Sequence, residues 1–322
     1  MQLKKLILGC ALLGALVPGR SATAAYPDKV ITIVVPTAPG GANDAMARVL
    51  SQRLTPILGQ TVIVDNKPGG NGAIASEYVA RSAPDGYKIL FGYIGTHAMN
   101  PALQKLRYDP VTDFEPIGMV ATSPTLMVAN PGVKANDPRE LVVLLKANPG
   151  KFSYASAGSG TAPQFAAEMF KLSTGTSMLH VPYKGSAPAI TDTMGGQTDV
   201  MFPSLFTAYP FVKGGKLKAF AVAGPKRSAM LPDVPTLKEL GIQNVEVSQW
   251  YALFAPAKTP RPVIEQLNKA LNAVLMNKEV VQRIEAQGAE VETSTPEQLK
   301  SYVQEEVGRW KKVVQATRIT TD

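Results

Sequence analysis

Residues 31–48, ITIVVPTAPGGANDAMAR, constrain the fold more than any other stretch of this chain. Ile31, Ile33, Val34 and Val35 form a short β-branched run, the composition of a strand covered on both faces. Pro36 and Pro39 end it, because proline cannot donate to a sheet ladder. Gly40 and Gly41 let the backbone approach something closely. From about Ala42 the spacing turns helical, with Met46, Val49, Leu50, Leu54 and Ile57 on one face and Asn43 or Asp44 suited to the N-cap. A strand, a glycine turn and a helix start together present free N–H groups and a partial positive charge, which suits an anion. A single turn of this kind is an ordinary strand–helix connection.

The pattern recurs. Residues 152–155 read as a strand, 156–160 (SAGSG) as a small-residue turn, and Thr161-x-x-Gln164 as a capping box with Pro163 in the first turn. Residues 179–182 then form a strand, Tyr183-Lys184-Gly185 a turn and Ser186 an N-cap, with Pro188 in the first turn of a helix ending at Gly195-Gly196. Helix starts of this glycine-and-hydroxyl type, presented face to face by two lobes, would hold a carboxylate from both sides without an arginine. The candidate contacts are Pro39, Gly40, Gly41 and Asn43 on one side, with Ser159, Gly160, Thr161, Gly185 and Ser186 on the other.

Residues 1–25 read as a signal peptide, with Lys4 and Lys5 as the positive region, an apolar core over 6–17 and Ala22-Thr23-Ala24 as the cleavage site. The apolar core is too short to span a bilayer. Cys10, the only cysteine, goes with it, leaving no disulfide, thiol nucleophile or cysteine metal ligand. Removing Lys4, Lys5 and Arg20 lowers the net charge from +8 to about +5, spread without a basic cluster, so nucleic acid is not expected as a partner. The roughly 297 residues that remain suffice for two domains and a large core.

The rest of the chain alternates strands and helices. Strands are expected at 61–65, 88–91, 126–129, 199–202, 218–223 and 247–254, and helices start at Asp137, Thr259, Asn277 and Thr295. Asp137-Pro138 with Glu140, and Thr295 with Gln298, are capping boxes. The polar loop 95–101 follows the strand at 88–91, and ligands sit at such strand ends in open α/β sheets. Thr96 and His97 are therefore further candidates. Trp250 and Tyr251 in the strand 247–254 are expected to pack in the core. The expected architecture is two α/β lobes: 26–128 with 248–322, and 129–247 inserted between them.

Several motifs also carry a resemblance. Residues 31–44, Asp65-Asn66-Lys67-Pro68-Gly69-Gly70, Ala83-Pro84-Asp85-Gly86-Tyr87, 108–114 (YDPVTDF), Gly158-Ser159-Gly160-Thr161, 183–188 (YKGSAP), 231–236 (LPDVPT) and 250–256 (WYALFAP) are similar to the Bug, or tripartite tricarboxylate transporter, family of extracytoplasmic solute receptors. The similarity spans nearly the whole mature chain. It implies the α/β two-lobed type II periplasmic binding-protein fold, closing over a small organic carboxylate held by backbone amides, hydroxyls and waters. On this chain those loops fall on Pro39-Gly40-Gly41, Ser159-Gly160-Thr161 and Gly185-Ser186. It further implies a periplasmic monomer with no cofactor, delivering its ligand to integral membrane permease subunits. The chain departs from the family at Thr37, where Phe is frequent, and at Ala42-Asn43, where Gly-Thr is frequent. Pro203-Ser204 stands where an Asp is common, so Ser204 joins the candidates and a ligand without an ammonium group is expected.

The alternatives are a periplasmic sensor feeding a two-component system and a hydrolase. Ser159 lies in Ala157-Gly158-Ser159-Gly160-Thr161, which does not match the Gly-x-Ser-x-Gly nucleophile elbow, and His97 and His180 are far apart in sequence. Two separated histidines without cysteine make a weak metal set. No enzyme activity is expected.

Overall fold

The computed structural model describes residues 26–317 and Ile319; the signal peptide expected at 1–25 lies outside them. The first strand–helix unit is β1 (Ile31–Val35), α1 (Ala42–Leu58) and β2 (Val62–Asn66), followed by α2 (Ala73–Ala80) and β3 (Lys88–Tyr93). β1 pairs in parallel with β2 on one side and β3 on the other. Ile31, Ile33, Val34 and Val35 are fully buried, as a strand covered on both faces requires. α1 buries the row Met46, Leu50, Leu54 and Leu58, with Val49 beside it. Ile57, expected on that face, is 48% exposed. The buried stripe follows i, i+4 spacing and so ends on Leu58.

After β3 the chain winds through a wide π turn at Gly95–Met99 and the short α3 (Asn100–Leu103) into β4 (Phe114–Ala129). The sequence showed only the end of this strand, because Pro116 and Pro124 interrupt its first part. α4 (Pro138–Ala147), β5 (Ser153–Ser156), α5 (Ala162–Thr174), β6 (Leu179–Pro182), α6 (Ser186–Met194), β7 (Val200–Met201), α7 (Leu205–Lys213) and β8 (Lys218–Ala223) follow. The chain returns through β9 (Ser248–Pro256) and closes with α8 (Arg261–Leu275), α9 (Lys278–Glu285), β10 (Glu290–Val291) and α10 (Pro296–Thr317).

Among the described residues the strands join in the order β2-β1-β3-β9-β4-β7-β5-β6, with β8 and β10 also paired to β4. β4 belongs to two sheets. Up to Pro124 it runs antiparallel to β9, and from Thr125 it runs antiparallel to β8 and then β7. β5, β6 and β7 are parallel, so the second sheet repeats the parallel core of the first. This is the α/β, two-lobed arrangement, with β4 running from one sheet into the other and the chain returning to the first sheet through β9.

α8 and α10 cover β4 on the first sheet. Their core includes Trp250 and Trp310, whose indole N–H groups both donate to Glu306 Oε2 at 3.0 Å. A buried carboxylate is tolerated here because each of its oxygens is bonded, Oε1 by Arg309 at 3.0 Å. Trp310 also meets Phe165 of α5 edge-on, with centroids 5.0 Å apart, so the C-terminal helix touches the second sheet's layer.

Candidate ligand-binding site

A cavity of about 590 Å³ opens between the sheets, lined by the starts of α1, α5, α6 and α7 and by the loop ahead of α2. Each start has its own chemistry. α1 is N-capped by Gly41 in extended conformation, without a side-chain cap. Asn43 and Asp44, the expected caps, lie inside the helix instead. Asp44 reaches back with Oδ2 to the Gly40 N–H at 3.0 Å and is held by Arg48 Nε at 3.0 Å. Burial raises the Asp44 carboxyl, but the bonds from Arg48 and Gly40 outweigh it and keep the group below its ordinary value.

Thr161 occupies the N-cap of α5, though its hydroxyl turns away from the helix and donates to Gly158 O at 2.6 Å. The expected Thr161–Gln164 capping box does not form: Gln164 Oε1 accepts from Gly160 N, one residue before the cap, at 2.6 Å. At α6 the N-cap is Gly185, with φ 121°, and Ser186, the expected cap, is the first helical residue. The turn needs a left-handed-side φ that serine adopts only under strain. α7, not expected as a helix, is capped by Ser204, which accepts from Thr207 N at 3.3 Å. Its Phe206 N–H is taken by Ser123 Oγ at 3.1 Å. By contrast, the N–H groups of Ala42, Ser159, Ala162 and Ser186 have no acceptor among the described residues. The donors left for a ligand therefore sit on α1, α5 and α6.

Around the same cavity, Thr37 Oγ1 and Asn43 Nδ2 are buried without a partner among the described residues, and the buried Tyr251 hydroxyl has the Ser204 hydroxyl beside it. Burial pushes the Tyr251 hydroxyl well above its ordinary pKa, so it stays a neutral donor. Lys184 is the one charged side chain on the lining among the described residues. Tyr93 and Asn71 are already committed to each other, the phenol lying 3.0 Å from Asn71 Oδ1. Such a wall, among the described residues, offers hydrogen-bond donors and one cation, and no acid to meet an ammonium.

Pro39, Gly41, Asn43, Ser159, Thr161, Gly185, Ser186 and Ser204 all line this one cavity. Gly40, Gly160, Thr96 and His97, also expected there, are not on its lining. The Gly40 amide is taken by Asp44, and Gly160 faces Asn71 and Asn100, a built Cβ falling 2.9 Å from each amide group. Thr96 and His97 wind into the π turn and are fully buried. Thr96 Oγ1 bonds Tyr93 N at 3.1 Å and His97 Nδ1 at 2.9 Å, while the His97 ring stacks on Phe254 at 3.8 Å. Burial pushes the His97 imidazole down to about 3. Trp250 and Tyr251 are both fully buried, as expected, and Tyr251 also belongs to the cavity wall. Sequence reasoning missed Asn71, Tyr93, Gln249 and Thr207 on the lining. Asn71 alone had a signal, in the glycine-rich stretch Gly69-Gly70-Asn71-Gly72.

Comparison with known proteins agrees with this architecture. The model of the tripartite tricarboxylate transporter family receptor matches residues 46–319. BugT of Bordetella pertussis is 36% identical over 294 residues, covering 91% of this chain and 90% of that one. The structure of the periplasmic binding protein BugD is 38% identical with a TM-score of 0.88, covering 92% of this chain and 100% of BugD. MatC from Rhodopseudomonas palustris with bound malate is 33% identical with a TM-score of 0.86, covering 90% of this chain and 100% of that one. An R. palustris protein with adipate is 31% identical with a TM-score of 0.89, covering 92% and 99%. This chain belongs to the tripartite tricarboxylate transporter receptors, the Bug family of periplasmic solute-binding proteins.

Proposed function

We propose that this chain is a periplasmic, monomeric, non-catalytic receptor that closes on a small organic carboxylate without an ammonium group and delivers it to the membrane permease subunits of a tripartite tricarboxylate transporter. The observation that carries the reading is the pair of buried, unpartnered polar atoms on the wall of one cavity, Thr37 Oγ1 and Asn43 Nδ2. Leaving such groups unpaired costs about 1–3 kcal/mol each, which a polar ligand recovers. Free helix-start amides on α1, α5 and α6 supply donors for a carboxylate. The lack of an acidic side chain on the described lining argues against amino-acid ligands. Malate and adipate in the related structures fit the same chemistry.

On this reading the ligand-contact set is Pro39, Gly41, Asn43, Ser159, Thr161, Gly185, Ser186 and Ser204, joined by Thr37 and Tyr251. One lobe comprises residues 26–124 with 248–317 and the other 125–247, which moves the first boundary from 128 to the point where β4 changes sheet. Loops of both lobes contact the acid, so the closed form binds it better, and that difference in affinity drives closure. A micromolar or tighter constant, roughly −8 kcal/mol or better, is expected for such a receptor. Thermal shifts with succinate, malate, adipate, citrate and terephthalate, set against aspartate and glutamate, test it. Stabilisation by one of the simple acids supports the reading, and stabilisation by amino acids alone overturns it.

A further inference from the structure

Behind the cavity wall, Ser156, Gln164 and His180 join in a chain of bonds whose direction is fixed by its ends. Gly160 N can only donate, so the Gln164 atom 2.6 Å away is Oε1. That turns Gln164 Nε2 toward His180 Nδ1 at 3.5 Å, and Nδ1 accepts. The ring proton then sits on Nε2, which donates to Ser156 Oγ at 2.6 Å. Ser156 also accepts from Gly158 N at 3.1 Å and donates its own O–H to Gly158 O at 3.1 Å. Each bond of the chain then joins one donor to one acceptor. Both ends of the chain terminate on the backbone of residues 158–161, the loop whose Gly158, Ser159 and Thr161 line the cavity.

We infer that Gln164 and His180 are positioning residues for the ligand loop of residues 158–161, holding its backbone from behind without touching the ligand. Gln164 is 3% exposed, Ser156 is fully buried, and none of Ser156, Gln164 and His180 is on the cavity lining. His180 stacks on Tyr154 with centroids 4.8 Å apart, which keeps the ring in the plane that reaches both partners. With the Gly158 and Gly160 amides engaged by this chain, the Ser159 and Ala162 amides are the ones left open toward the cavity. The inference rests on the carboxylate-receptor reading for its consequence and on the hydrogen-bond chain alone for its geometry.

His180→Phe keeps the stacking and removes both ring nitrogens. Amide hydrogen exchange of the ligand-free mature chain is expected to speed up about tenfold in peptides covering 156–162, with the remaining peptides unchanged. Malate or adipate, whichever the wild-type chain binds, should bind about fivefold more weakly to the variant. Ser156→Ala should do the same, and the double variant no worse than either single one, since the residues act as one chain. Should His180→Phe fail to fold, Ser156→Ala carries the same measurements. Unchanged exchange in the loop overturns the inference, as does faster exchange with unchanged affinity for a bound acid. If the wild-type chain binds neither acid, the receptor reading fails for them, while the exchange arm still decides whether the loop is held this way.

Discussion

Pro124 and Thr125 are adjacent in sequence and belong to different sheets: Pro124 is registered with Ser248 of β9, and Thr125 with Ala223 of β8. A strand whose partners change at one peptide bond is a place where two packed bodies can turn relative to each other with few contacts broken. Saturating a confirmed ligand should therefore lower the radius of gyration in small-angle scattering, with the circular-dichroism spectrum unchanged. Confirmed binding with no change in radius would remove closure from the account.

Thr161→Ala should cost about 1 kcal/mol of stability in urea denaturation, through loss of the bond to Gly158 O. Thr161→Ser, which keeps the hydroxyl, should recover most of it. If Thr161 also meets the ligand, affinity falls along with stability. An alanine variant that binds as tightly as the wild type would take Thr161 out of the contact set.

His97 gives a pH dependence whose sign follows from its burial. The folded imidazole is pushed down to about 3 from 6.5, so between those values the unfolded chain binds a proton that the folded chain refuses. The neutral-ring stability is present in full above the ordinary value and is lost as pH falls below it, by roughly 2 kcal/mol from pH 6.5 to 5. His97→Phe, which keeps a ring against Phe254, should flatten that slope in urea titrations at pH 7, 6 and 5. Parallel slopes for variant and wild type would show that another group sets the acid side.

Lys184 is exposed at the rim of the cavity and pairs with no acid among the described residues. A cation in that place attracts an anionic ligand over a distance comparable with the Debye length. Lys184→Gln should slow association by about threefold at low salt, with the difference shrinking as salt is raised. Stopped-flow rates at two ionic strengths check this. A loss independent of salt would instead mark Lys184 as a direct contact.

The legible parts of the chain were those decided within a few residues. Asp137 accepts from the amides of Arg139 and Glu140, and Thr295 and Gln298 exchange bonds, as their spacing implied. The strand–glycine–helix units at β1, β5 and β6 were readable because the hydrophobic period changes at each glycine turn. Caps misplaced by one residue, Ser186 for Gly185 and Thr259 for Pro260, reflect backbone angles that composition does not report. α7 was hidden by Pro210 inside it, although its cap Ser204 had been singled out. Thr96 and His97 looked like loop residues because a π turn has no hydrophobic period, and their burial comes from Phe254 and Phe114, far along the chain. Tyr251 could not be told from a core residue, since what distinguishes it is where one oxygen atom ends up.

Ser123, one residue before that change of sheet, accepts the Phe206 N–H at 3.1 Å and donates to Gly288 O at 3.0 Å, both in a fully buried setting. Gly288 has no room for a side chain there, a built Cβ falling 2.5 Å from Leu205 Cγ. A hydroxyl clamped to groups on either side of a swivel keeps both bonds only if it sits close to the axle. On the proposed closure, that side of the cleft is the one that moves least.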